Sequence, residues 1–254
     1  MKPTDISAQA VGMACRCDCG SIEPRGHEKH ADLARRSFLR NAIAGTAVAL
    51  AGATVIHALP ALAQSTLTPE AALKALMDGN QRYVAGQLQS LNDDLSILKA
   101  KTVEKQEPFA AVLSCADSRV PVEFVFDQSI GQIFVVRVAG NVTTPEITAS
   151  LEYGVAVLGT RVIVVLGHGN CGAVKATIEG KAVPGQISVL YAPIQPAVVA
   201  AGGNLDAAID ANARVQATLL SEASPVIAAA IKEGKLMVVA ARYDIMSGNV
   251  LLLT

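Results

Sequence analysis

Four segments of this chain are apolar almost without interruption: FAAVLS at 109–114, QIFVVRVAG at 132–140, RVIVVLGHG at 161–169 and KLMVVAARYD at 235–244. A strand with one wet face alternates polar and apolar residues. A strand that is apolar throughout has to be covered on both faces. Between these segments lie stretches of helical spacing, PEITASLEYGVAVLG at 145–159 and residues 207–233, the latter punctuated by Pro225 and Gly234. Buried strands separated by helices predict an α/β fold with a mostly parallel central sheet flanked by helices. A turn at 247–249 leads into VLLL, a fifth strand. Ahead of the sheet, residues 68–86 predict a helix. Thr68 can cap it, Pro69 suits its first position, Glu70 suits the positive end of its dipole and Gly86 can end it. Residues 88–107 predict a second helix and a loop. Residues 183–204, marked by proline and glycine, predict a long excursion that caps the sheet.

Composition narrows the function. The chain has 254 residues, a net charge of −1 and 51% hydrophobic residues, with no Trp. Without a basic surplus there is no electrostatic footprint for nucleic acid. The length suits one domain with a sizeable core once the N-terminus is set aside.

That N-terminus reads as a leader. The twin arginine of ARRSFLR (34–40) precedes the apolar run 41–60, and ALAQ follows. The arrangement resembles a Tat signal peptide, residues 1–63, with Ala61 and Ala63 at the small-residue positions before the cleavage point. Residues 64–254 are then the mature domain. The resemblance implies handling by the Tat translocase, a periplasmic or otherwise exported location, and a mature form not stably inserted in a membrane. An uncleaved anchor is the alternative, because the run approaches spanning length. Its Gly, Ala and Thr content and Pro60 favour cleavage.

The leader takes most of the metal-binding residue types with it. Cys15, Cys17, Cys19, His27, His30 and His57 all lie upstream of residue 64, leaving Cys115, Cys171 and His168 to the mature chain. CRCDCG and HEKH in the leader could hold a soft metal or be an unstructured tail. Cys115 follows the first predicted strand directly, and His168 and Cys171 follow the third. In open parallel sheets ligands gather beyond the carboxyl ends of the strands, where strand order reverses. If those two strands are neighbours, two thiols and an imidazole converge. Such a set suits zinc and leaves a fourth position open, as catalytic zinc sites do. The competing reading makes the thiols core residues or a disulfide, and His168 a satisfied core histidine. Asp117 and Arg119, in the same CADSR stretch as Cys115, weigh against it. A disulfide needs neither the carboxylate nor the guanidinium.

The stretches CADSRVPVEFVFDQSIGQIFVVRVAGNV and VIVVLGHGNCGAVKA resemble the β-class carbonic anhydrases, and the likeness runs over nearly all of residues 68–254. It implies four parallel strands plus an antiparallel edge strand, and a homodimer or higher even-numbered oligomer with active sites at the interface. It also implies one Zn²⁺ per chain on Cys115, His168 and Cys171, and reversible hydration of CO₂ to bicarbonate by a hydroxide on zinc. By the same resemblance Asp117 accepts a hydrogen bond from the attacking water or becomes a fourth ligand in an inactive state, and Arg119 decides which. In the plant-type subgroup the substrate pocket falls on Gln106, Phe134, Ala139, Tyr153 and Gly172. Ala139 stands where those members carry Val, which makes a roomier pocket. Val157 stands where they carry a proton-exporting His. Members with an allosteric bicarbonate site carry a Trp near position 106; with no Trp, this chain reads as the always-open type. Two thiolates put more negative charge on zinc than three imidazoles would, so high activity is expected on the alkaline side. Hydrolysis of carbonyl sulfide or carbon disulfide on the same fold, and a non-catalytic zinc- or bicarbonate-binding protein, remain as alternatives.

Overall fold

The computed structural model describes residues 65–92 and 95–253. The expected leader and cleavage point, and the cysteines and histidines upstream of residue 64, lie outside the described residues. The strands are β1 (Ala110–Ser114), β2 (Ile133–Arg137), β3 (Val162–His168), β4 (Met237–Tyr243) and β5 (Val250–Leu253). Their order in the sheet is β2-β1-β3-β4-β5. The first four are parallel, and β5 runs antiparallel to β4. The helices in chain order are α1 (Pro69–Val84), α2 (Leu95–Thr102), α3 (Val122–Val125), α4 (Pro145–Ala156), α5 (Gly172–Glu179), α6 (Tyr191–Ala200), α7 (Leu205–Ala223) and α8 (Pro225–Lys232).

Every residue of β1 and β3 is buried, as their uninterrupted apolar sequences require. β2 is only part-buried, because it is an edge strand with a neighbour on one side. The two faces are packed separately. Ala110, Val112, Val164, Leu166 and Ala241 meet Leu76 of α1 and Phe126. Ala111, Leu113, Ile163, Val165 and Ala240 meet Leu151 of α4, Leu220 of α7 and Ile227 of α8. Burial of each such Val, Leu or Ile contributes about 1.5–3 kcal/mol.

The start of α1 follows the sequence closely: Thr68 caps it by accepting from the Ala71 amide, and Pro69 opens it. Buried Asn80 ties the helix to the far end of the chain. It donates to the carbonyls of Val125 and Gly248 and accepts from the Val250 amide, so α1 helps to set the register of β5. One turn of α1 is pressed so closely on the segment after α3 that a Cβ at Gly79 would stand 1.8 Å from the Phe126 carbonyl oxygen. Gly79→Ala is therefore expected to destabilise the domain by about 3 kcal/mol or more, since backbone, not a side chain, has to give. Urea denaturation reads this, and an unchanged midpoint would mean that α1 can slide.

Two segments add detail to the sequence expectation. The helical stretch 207–233 is two helices, α7 and α8, parted at Ser224, which caps α8 by accepting from the Ile227 amide. Within the excursion at 183–204 the chain forms α6, even though Pro193 and Pro196 lie in it. Tertiary packing outweighs their low helix propensity. Ile194, Ala197 and Val198 are buried, and Ile194 and Val198 cluster with Cys115, Cys171 and Val174 at the carboxyl end of the sheet.

Candidate metal centre

β1 and β3 are neighbours, pairing from Ala110↔Val162 to Ser114↔Leu166. They are also where strand order reverses: the chain steps from β1 to β2 on one side, then returns past β1 to place β3 on the other. Cys115 leaves the end of β1 and His168 ends β3 at this switch point. Asn170, in the left-handed region at φ 54°, turns the chain so that Cys171 comes back to serve as N-cap of α5. The sequence does not announce α5, because the ligand turn HGNCG runs straight into it.

The ligand atoms of Cys115, His168 and Cys171 all lie within 4.8 Å of one another. All three side chains are buried, and both thiols are free. His168 Nδ1 lies 3.0 Å from the Gly169 carbonyl oxygen. A carbonyl only accepts, so Nδ1 carries the proton and the Nε2 lone pair is left over. That Nε2 is buried without a hydrogen-bond partner. An orphaned imidazole lone pair facing two undisulfided thiols costs stability unless a cation takes it up. The donor set, two sulfurs and one imidazole nitrogen, fits zinc. The disulfide and satisfied-histidine readings of the sequence do not describe this geometry.

The thiols share a proton unequally. The Cys171 thiol, with the Gly140 and Asp117 amides, pulls Cys115 down to about 4 against the opposing effect of burial. Cys171 is pushed up, first by Cys115 and then by burial. Two thiolates this close need a cation between them.

Asp117 sits at the edge of the triad, its Oδ2 3.8 Å from His168 Nε2. Arg119 grips it at both oxygens: the backbone amide and Nε donate to Oδ1, each at 2.9 Å, and Nη2 donates to Oδ2 at 2.7 Å. The guanidinium holds the carboxyl well below the usual carboxylate range. Arg119 Nη2 also donates to the Asn170 carbonyl, bridging the two ligand-bearing turns. Arg137, at the end of β2, is a residue the sequence reading did not single out. Its Nε donates to the Cys115 carbonyl and its Nη2 to the Asp117 carbonyl, fixing the turn that carries both side chains.

The residues matched to a substrate pocket fall in two places. Ala139 precedes Gly140, whose amide donates to Cys115 Sγ, and Gly172 follows Cys171, so both border the triad. Gln106 and Tyr153 line a cleft of about 370 Å³ elsewhere. Phe134 packs on Tyr153 with ring centroids 6.4 Å apart. Phe134 pairs with Ala111, four residues before Cys115, and thus about 13 Å down the strand from the triad. A single chain therefore does not unite the two groups. A separate cavity of about 530 Å³, lined by Leu95, Leu98, Phe124 and Ile130 among others, holds none of these residues.

Fold and triad together define an α/β protein with a Cys₂His cluster that could hold a metal ion at the switch point of its sheet. The family profile described as carbonic anhydrase matches residues 110–250, more than half of the chain. The chain belongs to the carbonic anhydrase family, in its β class. It is 44% identical over 135 residues to the carbonic anhydrase of Mycolicibacterium smegmatis, covering 52% of this chain and 65% of that one. It is 35% identical over 192 residues to carbonic anhydrase 2 of Mycobacterium tuberculosis, covering 72% of this chain and 92% of the relative. Among solved structures, the Coccomyxa β-carbonic anhydrase in complex with acetazolamide superposes with a TM-score of 0.57 at 27% identity, covering 71% of this chain and 86% of that one. A tetrameric β-carbonic anhydrase of Sordaria macrospora shares the fold, with a TM-score of 0.56 at 22% identity over 71% of this chain and 96% of its own.

Proposed function

We propose that the protein catalyses the reversible hydration of CO₂ to bicarbonate and a proton, with one zinc per chain on Cys115, His168 and Cys171. The observation that carries this reading is the buried, unpartnered His168 Nε2 beside two free thiols and an ionised carboxylate. Zinc supplies the Lewis acidity that makes water a nucleophile near neutral pH. The chain's own residues do the rest. His168 is held in one tautomer by the Gly169 carbonyl. Asp117, kept ionised and pointed by Arg119, can only accept hydrogen bonds, so it orients the attacking water by accepting a hydrogen bond from it. Arg137 keeps the Asp117 backbone at the right depth.

The active unit in this reading is a homodimer or a higher even-numbered oligomer. The Gln106–Tyr153 cleft of one chain then completes the site of another, which accounts for the separation of the two groups within a single chain. Residues 1–63 serve as a Tat signal and the mature protein works in the periplasm. Tat carries folded proteins, so the thiols can take up zinc before they meet an oxidising compartment.

Stopped-flow CO₂ hydration with zinc counted in the same sample tests the reading. One zinc per chain with rapid hydration supports it. Full zinc without hydration rejects it, and carbonyl sulfide becomes the next substrate to try. Proton export gives a further prediction. Val157 occupies the position of the plant-type shuttle histidine, and His168 is committed to the metal. Turnover should therefore climb with the concentration of imidazole or a similar buffer, whereas a kcat indifferent to buffer would show an internal relay.

A further inference from the structure

α7 buries Ala208, Ile209, Ala213, Ala217 and Leu220 against the rest of the domain, and in the middle of that apolar face it also buries Asn212 and Gln216. Their relative exposures are 1% and 0%. Burying amides is unfavourable unless their hydrogen bonds are made. Here all four amide atoms are used, and the bonds lead in one direction. Gln216 Nε2 donates to Asn212 Oδ1 at 3.1 Å and to the Pro193 carbonyl at 3.0 Å. Gln216 Oε1 accepts from the Thr143 amide at 2.7 Å. Asn212 Nδ2 donates to the Gly140 carbonyl at 2.8 Å, and the Gly140 amide donates to Cys115 Sγ at 3.3 Å. The segment 140–143 is thus gripped at both ends from α7, and its first amide ends on a metal ligand. Gly140 has φ 76°, and a Cβ there would stand 2.8 Å from Ile194 Cδ1, so the segment has little other place to go.

We propose that Asn212 and Gln216 are positioning residues of the metal centre: through Gly140 they aim one backbone N–H at Cys115 Sγ and so set how strongly that sulfur donates to the cation. The inference rests on the metal reading above. A thiolate that accepts an N–H gives less of its charge to the metal, which stays the stronger Lewis acid. The spacing of the pair, i and i+4, puts both amides on one face of the helix and lets Gln216 hold Asn212 in its rotamer.

The test uses the full chain with cobalt in place of zinc, comparing wild type, Asn212→Leu, Gln216→Glu and Leu220→Ala. Leu220 is buried on the same helix but packs in the other core cluster, so its truncation loosens α7 without touching the chain of amides. The expected result is a sulfur-to-cobalt charge-transfer band at lower energy in Asn212→Leu and Gln216→Glu. With zinc restored, these two should show a kcat–pH midpoint moved to the alkaline side and a loss of about 10–100-fold in activity at neutral pH. Leu220→Ala should lower Tm and leave band and midpoint where they are. Should Asn212→Leu not fold, Gln216→Glu carries the test, because it keeps an acceptor for Thr143 while removing the donor to Asn212. Folded variants whose band and midpoint coincide with wild type overturn the inference, as does Leu220→Ala shifting both equally. A wild-type chain that takes up no cobalt overturns the metal reading and this one with it.

Discussion

Replacing Asp117 by asparagine should cost about 10²–10⁴-fold in CO₂ hydration while each chain keeps its zinc, the range that positioned proton-handling groups usually supply. The two parts of that result follow from different contacts. The metal stays because Asp117 is held by Arg119 rather than sharing in the triad: both carboxylate oxygens are occupied by guanidinium or amide donors, and Oδ2 remains 3.8 Å from His168 Nε2. Activity goes because asparagine has lost the charge and one acceptor. Its amide nitrogen would face either the Arg119 fork, donor against donor, or the reacting water, which then has no fixed acceptor. Arg119→Lys should be an intermediate case, because an ammonium restores the charge but not the two-point grip. Stopped-flow rates and zinc content measured together separate the outcomes. Loss of zinc in Asp117→Asn would make the carboxylate a ligand. Full activity would make it a surface ion pair.

Much of this was legible in the sequence because the physics was local. The apolar runs that became β1 and β3 could only be buried strands, and two chemistry-bearing turns at their carboxyl ends could only meet if the strands were neighbours, as they are. The CADSR stretch carries its own partner, since Asp117 and Arg119 are two residues apart and bond within one turn. What the sequence hid was long-range or depended on packing. Arg137 reads as an interruption in an apolar strand, and its task appears only when β2 is laid beside β1. Nothing in the helical spacing of 207–233 marks Asn212 and Gln216 for burial. Their burial depends on Gly140, 72 residues from Asn212 in the chain. α6 was masked by Pro193 and Pro196, whose propensity gives way to the burial of Ile194 and Val198 over the triad. The division of the pocket residues was hidden for a further reason. A match of positions does not say how far apart the matched residues lie within one chain.

Stripping the metal should remove both activity and stability, and only one of the two ways of doing so should be reversible. With free zinc at about 1,000 times its dissociation constant, linkage contributes about 4 kcal/mol to the folded state. For a domain of this size that corresponds to a Tm about 8–16 °C lower after chelation. The metal-free triad is not a neutral cavity. Cys115 is the thiol driven toward the thiolate, by the Cys171 thiol and the Gly140 amide, while Cys171 is pushed the other way and keeps its proton. Zinc binding must expel that proton, so the affinity for zinc should fall as pH is lowered. Under reducing conditions, adding zinc back should restore Tm and hydration in full. Cys171→Ser should show the same losses without recovery, because a hydroxyl at the N-cap of α5 cannot replace a thiolate on zinc. A chelated protein that keeps both its Tm and its activity would show that the cluster of Cys115, His168 and Cys171 is a packing feature of the sheet's carboxyl end, and that hydration, if it occurs, is driven from elsewhere.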